Sequence, residues 1–268
     1  MLEQHDNQAS GLLGLGCQPG PRMIAVVHHG DEQAELPFLW QLCLALVNFG
    51  YCVTVLDATI EESPNNPGLA QLLETTHWRD EDMHHTPAWT VLPAGKGLRN
   101  LCVEIADGSP KLHQLGRLFP ADGVIILYCK VEPMIELIGA RHIEPLLAVS
   151  PLRTSLMTSY IALKRLLITG KLQPTIVNMI QDQGTDSPVP TRVTLSGLSQ
   201  CAKRFLRLEV TTLDIVEQCG ETIPNGDIQR LALRLLERSL PLRAEYEQTD
   251  GFPRASHRDQ FDFSARSH

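Results

Sequence analysis

Short, wholly apolar runs that alternate with segments of helical spacing constrain this chain more than any other feature. Met23 to Val27 is the first such run. A turn signal follows it, as expected of a strand buried on both faces. Pro37 to Phe49 then places Leu39, Leu42, Cys43 and Leu46 at helical intervals, and Gly50 stands where a helix C-cap belongs. Tyr51 to Leu56 is a second apolar run, closed by Asp57. Strand, crossover helix and strand make a βαβ unit, which requires a parallel sheet.

The alternation continues. Strands are predicted at Trp89–Leu92, Gly123–Cys129, Leu146–Val149, Thr175–Ile180 and Thr212–Ile215. Helices are predicted at Leu112–Phe119, Pro133–His142, Leu156–Thr169, Ser196–Leu206 and Asp227–Leu240. About seven strands with helices between them predict a three-layer α/β domain, a mostly parallel sheet flanked by helices. That domain spans 23–243. Ahead of it, 1–22 is a polar arm with one apolar cluster, Leu12-Leu13-Gly14-Leu15, and a linker at Pro19-Gly20-Pro21. Residues 244–268 form a polar tail expected to be flexible. The stretches 59–88 and 181–195 are rich in Pro, Asn and Asp and predict loops.

A net charge of −8 argues against a surface built for nucleic acid. The seven cysteines include no C-x-x-C pair, and several lie in apolar runs, Leu42-Cys43-Leu44 and Tyr51-Cys52-Val53 among them. Buried thiols in a reducing cytoplasm fit that pattern better than disulfides or zinc. Met1-Leu2-Glu3-Gln4-His5-Asp6 does not read as a secretion signal, and no apolar run approaches the roughly 20 residues of a membrane span. A cytoplasmic protein without a transmembrane segment is expected.

In open α/β sheets ligands bind beyond the carboxyl ends of the strands, so the loop after Val27 is the place to look. A phosphate site there needs inward-turned backbone N–H groups, a lysine and a magnesium-binding hydroxyl. The chain offers His28-His29-Gly30-Asp31-Glu32-Gln33-Ala34-Glu35-Leu36. Three carboxylates would face a triphosphate with no cation between them, so the local chemistry rejects ATP.

The run Ile24-Ala25-Val26-Val27, the helix through Leu46 to Gly50, and Val55-Leu56-Asp57-Ala58 resemble the opening of MinD/ParA-type ATPases. In that family a strand leads to K-G-G-x-G-K-S/T, an apolar helix, Gly, and a strand ending D-x-D. On this likeness the signature lysine falls on Gly30, two glycines on Asp31 and Glu32, and the third on Ala34. The phosphate lysine falls on Glu35 and the magnesium hydroxyl on Leu36. Asp57 is kept, and the second carboxylate is Thr59. Val91-Leu92-Pro93-Ala94-Gly95-Lys96-Gly97 is similar to the family's strand-plus-glycine segment, and Asp122-Gly123-Val124-Ile125-Ile126-Leu127 to a strand whose metal-linked aspartate is here Leu127.

Further along, Val149-Ser150-Pro151 with the helix from Thr154 to Lys164, the run Ile176-Val177-Asn178-Met179, and Arg204-Phe205-Leu206 are similar to the flagellar FlhG/FleN subgroup. There the asparagine matching Asn178 meets the nucleotide base. Those proteins also carry a D-Q-A-x-x-L-R-x-L arm that stimulates the GTPase FlhF. Here Gln8, Ala9, Leu12 and Leu15 match it, with Asn7 for the Asp and Leu13 for the Arg. The resemblance covers roughly 6–240. It implies a MinD-like fold, a vestigial nucleotide site (Gly30, Glu35, Leu36, Asp57, Leu127, Asn178) and a partner-binding arm (Gln8, Ala9, Leu12, Leu15).

The expected function is a pseudo-ATPase regulator of flagellar number or placement, with no ATP or magnesium held, an FlhF-like GTPase as partner, and a homodimer possible. A weakly nucleotide-dependent ATPase, and an adaptor for a pilus or cellulose-synthesis machine, are the alternatives. Simpler roles stand beside these. His28-His29 and His84-His85 read as surface or loop histidines rather than metal ligands. Asp57 reads as a structural cap, and Asn178 either meets a base or satisfies backbone groups. The 227–240 helix faces the core rather than lying on a membrane, where peripheral contact is not expected.

Overall fold

A computed structural model describes residues 20–74, 89–103, 112–139, 141, 143–181, 198–217 and 225–242. Among them run β1 (Arg22–Val27), α1 (Glu32–Asn48), β2 (Val53–Asp57), α2 (Leu69–Glu74), β3 (Trp89–Pro93), α3 (Gly95–Val103) and α4 (Leu112–Leu118). Then come β4 (Val124–Cys129), α5 (Val131–Ile138), β5 (Leu146–Val149), α6 (Arg153–Arg165) with a wider π turn at Leu166–Gly170, and β6 (Thr175–Gln181). A short helix at 198–201, α7, ends in a second π turn (Ala202–Leu206). β7 (Thr211–Glu217), α8 (Gly226–Arg238) and the two-residue β8 (Leu240–Pro241) complete the chain.

The strands form one sheet in the order β3-β2-β4-β1-β5-β6-β7, parallel throughout except for β8, which pairs antiparallel with the start of β1. β1 is central, aligned with β4 from Arg22↔Val124 to Val27↔Cys129. Its residues alternate between two cores. Met23, Ala25 and Val27 join the side covered by α2 to α7, while Ile24 and Val26 join the side covered by α1 and α8. This is why the runs are continuously apolar: a strand with helices on both faces has no solvent side.

The mostly parallel sheet flanked by helices agrees with the sequence expectation, and β5 matches it residue for residue. α1 starts five residues before the expected Pro37, for a reason given below. The loop expected at 59–88 contains α2. α3 opens directly after Pro93, and Glu62 binds both helix starts. Its carboxylate accepts from Lys96 N (2.6 Å), Gly97 N (2.8 Å) and Ala70 N (3.1 Å). Gly97 is required there, since a Cβ would fall 2.7 Å from Leu69 Cγ. α5 stops at Gly139, whose positive φ of 57° ends the helix. α8 turns Ile228, Leu231, Ala232, Leu235 and Leu236 into the core, as expected of a core-facing helix. Cys43 and Cys129 are buried, but Cys52 is exposed, because it precedes the strand its apolar run predicted. No helix among the described residues is long and apolar enough to cross a membrane.

Candidate functional site

The turn from β1 to α1, His28–Asp31, lies at the carboxyl end of the central strand. Its three consecutive amides converge on one oxygen. Glu35 Oε1 accepts from His29 N (2.9 Å), Gly30 N (3.1 Å) and Asp31 N (3.1 Å). Glu35 Oε2 accepts from the Tyr128 hydroxyl of β4, and it lies 2.8 Å from His28 Nδ1. A carboxylate offers no proton, so His28 Nδ1 carries the hydrogen of that bond. Glu35 has no exposed surface, and Tyr128 is 3% exposed.

The local sequence explains this geometry. Glu35 sits one turn into α1 and reaches back over the helix start, a stretched version of the capping box. The amides it binds include orphan donors at the positive end of the helix dipole, where an anion is stabilised. That demand draws Glu32–Leu36 into the helix ahead of Pro37.

Two further side chains pin the loop from outside. His29, 2% exposed at its side chain, has Nε2 2.7 Å from Ala148 O of β5 and Nδ1 2.9 Å from Thr158 Oγ1 of α6. Asp31 turns away from its own helix, and its Oδ2 accepts from Ser150 N (2.8 Å). One sequence expectation is corrected here. Asp31 and Glu35 do not face an open phosphate site, because hydrogen-bond donors lie inward; Glu32 alone of the three remains exposed. His28 and His29 lie in the loop, one of the two places read for them, and both bind structural partners there; His84 and His85 lie outside the described residues.

The electrostatics predict how stability changes with pH. Burial alone would raise the Glu35 pKa, but the bonds from His28, Tyr128 and the His29 amide outweigh it and bring it down to about 2. The bond to Glu35 is the largest influence on His28 and raises it above 6.5, against burial and the Lys130 charge. Glu35 therefore contributes stability above 4.5 that is lost as pH falls toward 2. His28 contributes stability below 6.5 that is lost as pH rises through its raised value. The urea midpoint is expected to peak between these limits and to lose both slopes in Glu35→Gln. Identical midpoints inside and outside the window would contradict this.

Beside the loop, His28, Lys130, Glu132, Thr158, Ile161 and Arg165 line a cleft of about 250 Å³. That is below the roughly 300–1,000 Å³ usual for a cofactor site. A larger cleft of about 720 Å³ lies at the opposite end of the sheet, among Glu144, Lys171, Thr211 and Arg238.

No protein-family model and no curated protein matches the chain. Solved structures do. Cobyrinic acid a,c-diamide synthase from Mycobacterium smegmatis, with bound ADP and magnesium, matches at TM-score 0.52 and 16% identity, over 81% of this chain and 94% of that one. The fold is that of the MinD-type P-loop NTPases. The cell division ATPase MinD from Pyrococcus furiosus is also similar (TM-score 0.48, 16% identity, 81% and 97% covered). So is the MinC:MinD complex from Aquifex aeolicus (TM-score 0.45, 13% identity, 82% and 98% covered).

Gly30 holds φ +94°, a conformation other residues rarely adopt. Gly30→Ala is therefore expected to cost about 1 kcal/mol or more and to lower Tm by roughly 2–4 °C in thermal unfolding; an unchanged Tm would count against it. Leu36 lies on the outside of α1, 51% exposed. Asp57 accepts from Thr59 N (2.8 Å) and Thr59 Oγ1 (2.6 Å), closing the turn after β2. Leu127 is fully buried in the core, opposite Leu56 of β2 and Ala25 of β1. Asn178 donates to Asp214 Oδ1 of β7 (3.1 Å) rather than to backbone, and its Oδ1 has no partner among the described residues.

The structure thus gathers Gly30 and Glu35 at one loop, leaves Leu36 and Leu127 out of it, and places Asn178 against β7. Gln8, Ala9, Leu12 and Leu15 lie outside the described residues. Sequence reasoning missed His28, His29, Tyr128 and Ser150 as partners of the loop. The available signal was a glutamate one turn into a helix that follows a glycine-bearing loop.

Proposed function

We propose that this chain is a non-hydrolysing, nucleotide-independent regulator built on the MinD-type fold, acting in the cytoplasm through protein–protein contacts. The observation that supports this reading most is the Glu35 carboxylate on the loop amides, where a phosphate would need the same donors. Neither a lysine nor a hydroxyl stands in the two positions that would serve phosphate and magnesium, which hold Glu35 and Leu36. The likeness of Gln8-Ala9 and Leu12–Leu15 to the FlhG arm points to a flagellar system, with an FlhF-type GTPase as partner. A homodimer is compatible with this reading, and neither nucleic acid nor membrane is a partner in it.

The test is titration of the full chain against an FlhF-type GTPase, beside the Leu12→Ala/Leu15→Ala double variant. Each buried leucine is worth roughly 1.5–3 kcal/mol, so the variant should bind about a hundredfold more weakly. Leu13, standing where the arm has arginine, should leave GTP hydrolysis unstimulated. Absence of binding, or equal binding by the variant, would remove the flagellar assignment and favour a pilus or cellulose-synthesis adaptor.

A further inference from the structure

We infer that Glu35 is a built-in ligand: the β1–α1 loop is a working oxyanion site whose occupant is a side chain of the chain itself. The inference builds on the nucleotide-independent reading and adds how the loop is regulated.

Five donors meet the two carboxylate oxygens: the His29, Gly30 and Asp31 amides on one, and the Tyr128 hydroxyl and His28 Nδ1 on the other. A carboxylate has about four acceptor sites, so this one is saturated. None of the donors is specific to glutamate. Successive amides around a left-handed residue form an anion-binding concavity, and Gly30 at φ +94° supplies that residue. A phosphate or a free carboxylate would find the same donors.

The loop also has anchors besides Glu35, although the His29 ring lies 3.4 Å from its Oε1. His29 is tied to Ala148 O and Thr158, and Asp31 to Ser150 N. These contacts hold the amides in place from the β5 and α6 side, so removing the Glu35 carboxylate leaves the concavity open rather than collapsed. In the intact chain the occupant is covalently attached and its effective concentration never falls. The loop therefore stays in its anion-bound shape at all times, and any contact that depends on that shape is constitutive.

The test uses the full chain. Glu35→Ala should gain a response to inorganic phosphate: at tens of millimolar, Tm should rise by roughly 3–6 °C. Sulfate should act likewise, chloride at equal ionic strength should not, and the wild type should not respond. A folded Glu35→Ala protein that ignores phosphate overturns the inference, whereas one that folds only with phosphate supports it. If the alanine variant does not fold with or without phosphate, Glu35→Gln decides. It keeps the shape and removes the charge, so exchange of the His29, Gly30 and Asp31 amide protons should quicken about tenfold, with core amides unchanged. Unchanged exchange at these amides overturns the inference. The regulator reading fails separately, if the wild type binds Mg²⁺-ATP.

Discussion

Replacing Glu35 by alanine should lower the unfolding free energy by about 3–5 kcal/mol, the cost of removing one partner from a buried charged pair. The substitution deletes a fully buried carboxylate and strands its donors: three amides, the Tyr128 hydroxyl and His28 Nδ1. Each unsatisfied buried donor carries a desolvation penalty of about 1–3 kcal/mol. Water entering the vacated site offsets part of their sum. Domains of this size are stable by only about 5–15 kcal/mol, so the loss is a large share of the whole. Glu35→Gln should cost less, because its carbonyl still accepts from the amides and only charge assistance is lost. Urea unfolding reads both values, with a shifted midpoint and an unchanged slope expected. A Glu35→Ala loss below about 1 kcal/mol would mean that the loop does not rely on the carboxylate.

Leu127→Asp, which restores the carboxylate that the family resemblance expects, should cost more than about 4 kcal/mol and gain no magnesium response. Leu127 has no exposed surface and lies in the core with Leu56, Met134 and Leu147. An aspartate there must either ionise without a partner or take up a proton in an apolar surrounding. Both are costly, and neither ends at an open site. Leu127→Ala, which only opens a cavity, should cost about 2–5 kcal/mol. Soluble, cooperatively folding Leu127→Asp protein with wild-type urea stability would show that the position is not core.

The contrast between these positions shows what the amino-acid order makes legible. Strands were readable because a two-faced sheet needs unbroken apolar runs, and Leu146–Val149 has no polar residue to blur its ends. α3 was not readable, since Gly95 and Gly97 signal a turn. Its start depends on Glu62, more than thirty residues away, and on the close approach of α2. β8 is two residues long and carries no pattern.

At the site, charge was readable and direction was not. Three acidic residues in the loop predicted repulsion of phosphate, and the same argument placed them facing outward. The amides and the Tyr128 hydroxyl turn Glu35 inward, and Tyr128 comes from β4, ninety-three residues on. Tertiary partners of that separation leave no local mark. Asp57, by contrast, has a local partner, Thr59, two residues on.

The most direct measurement is a calorimetric titration of the full wild-type chain with Mg²⁺-ATP. The Glu35 carboxylate already holds the loop donors, and neither a lysine nor a hydroxyl stands at positions 35 and 36 to take phosphate or magnesium. Only heat of dilution is therefore expected, up to millimolar nucleotide. A saturable heat with micromolar affinity would show that Glu35 yields the loop to phosphate, and would contradict a nucleotide-independent regulator.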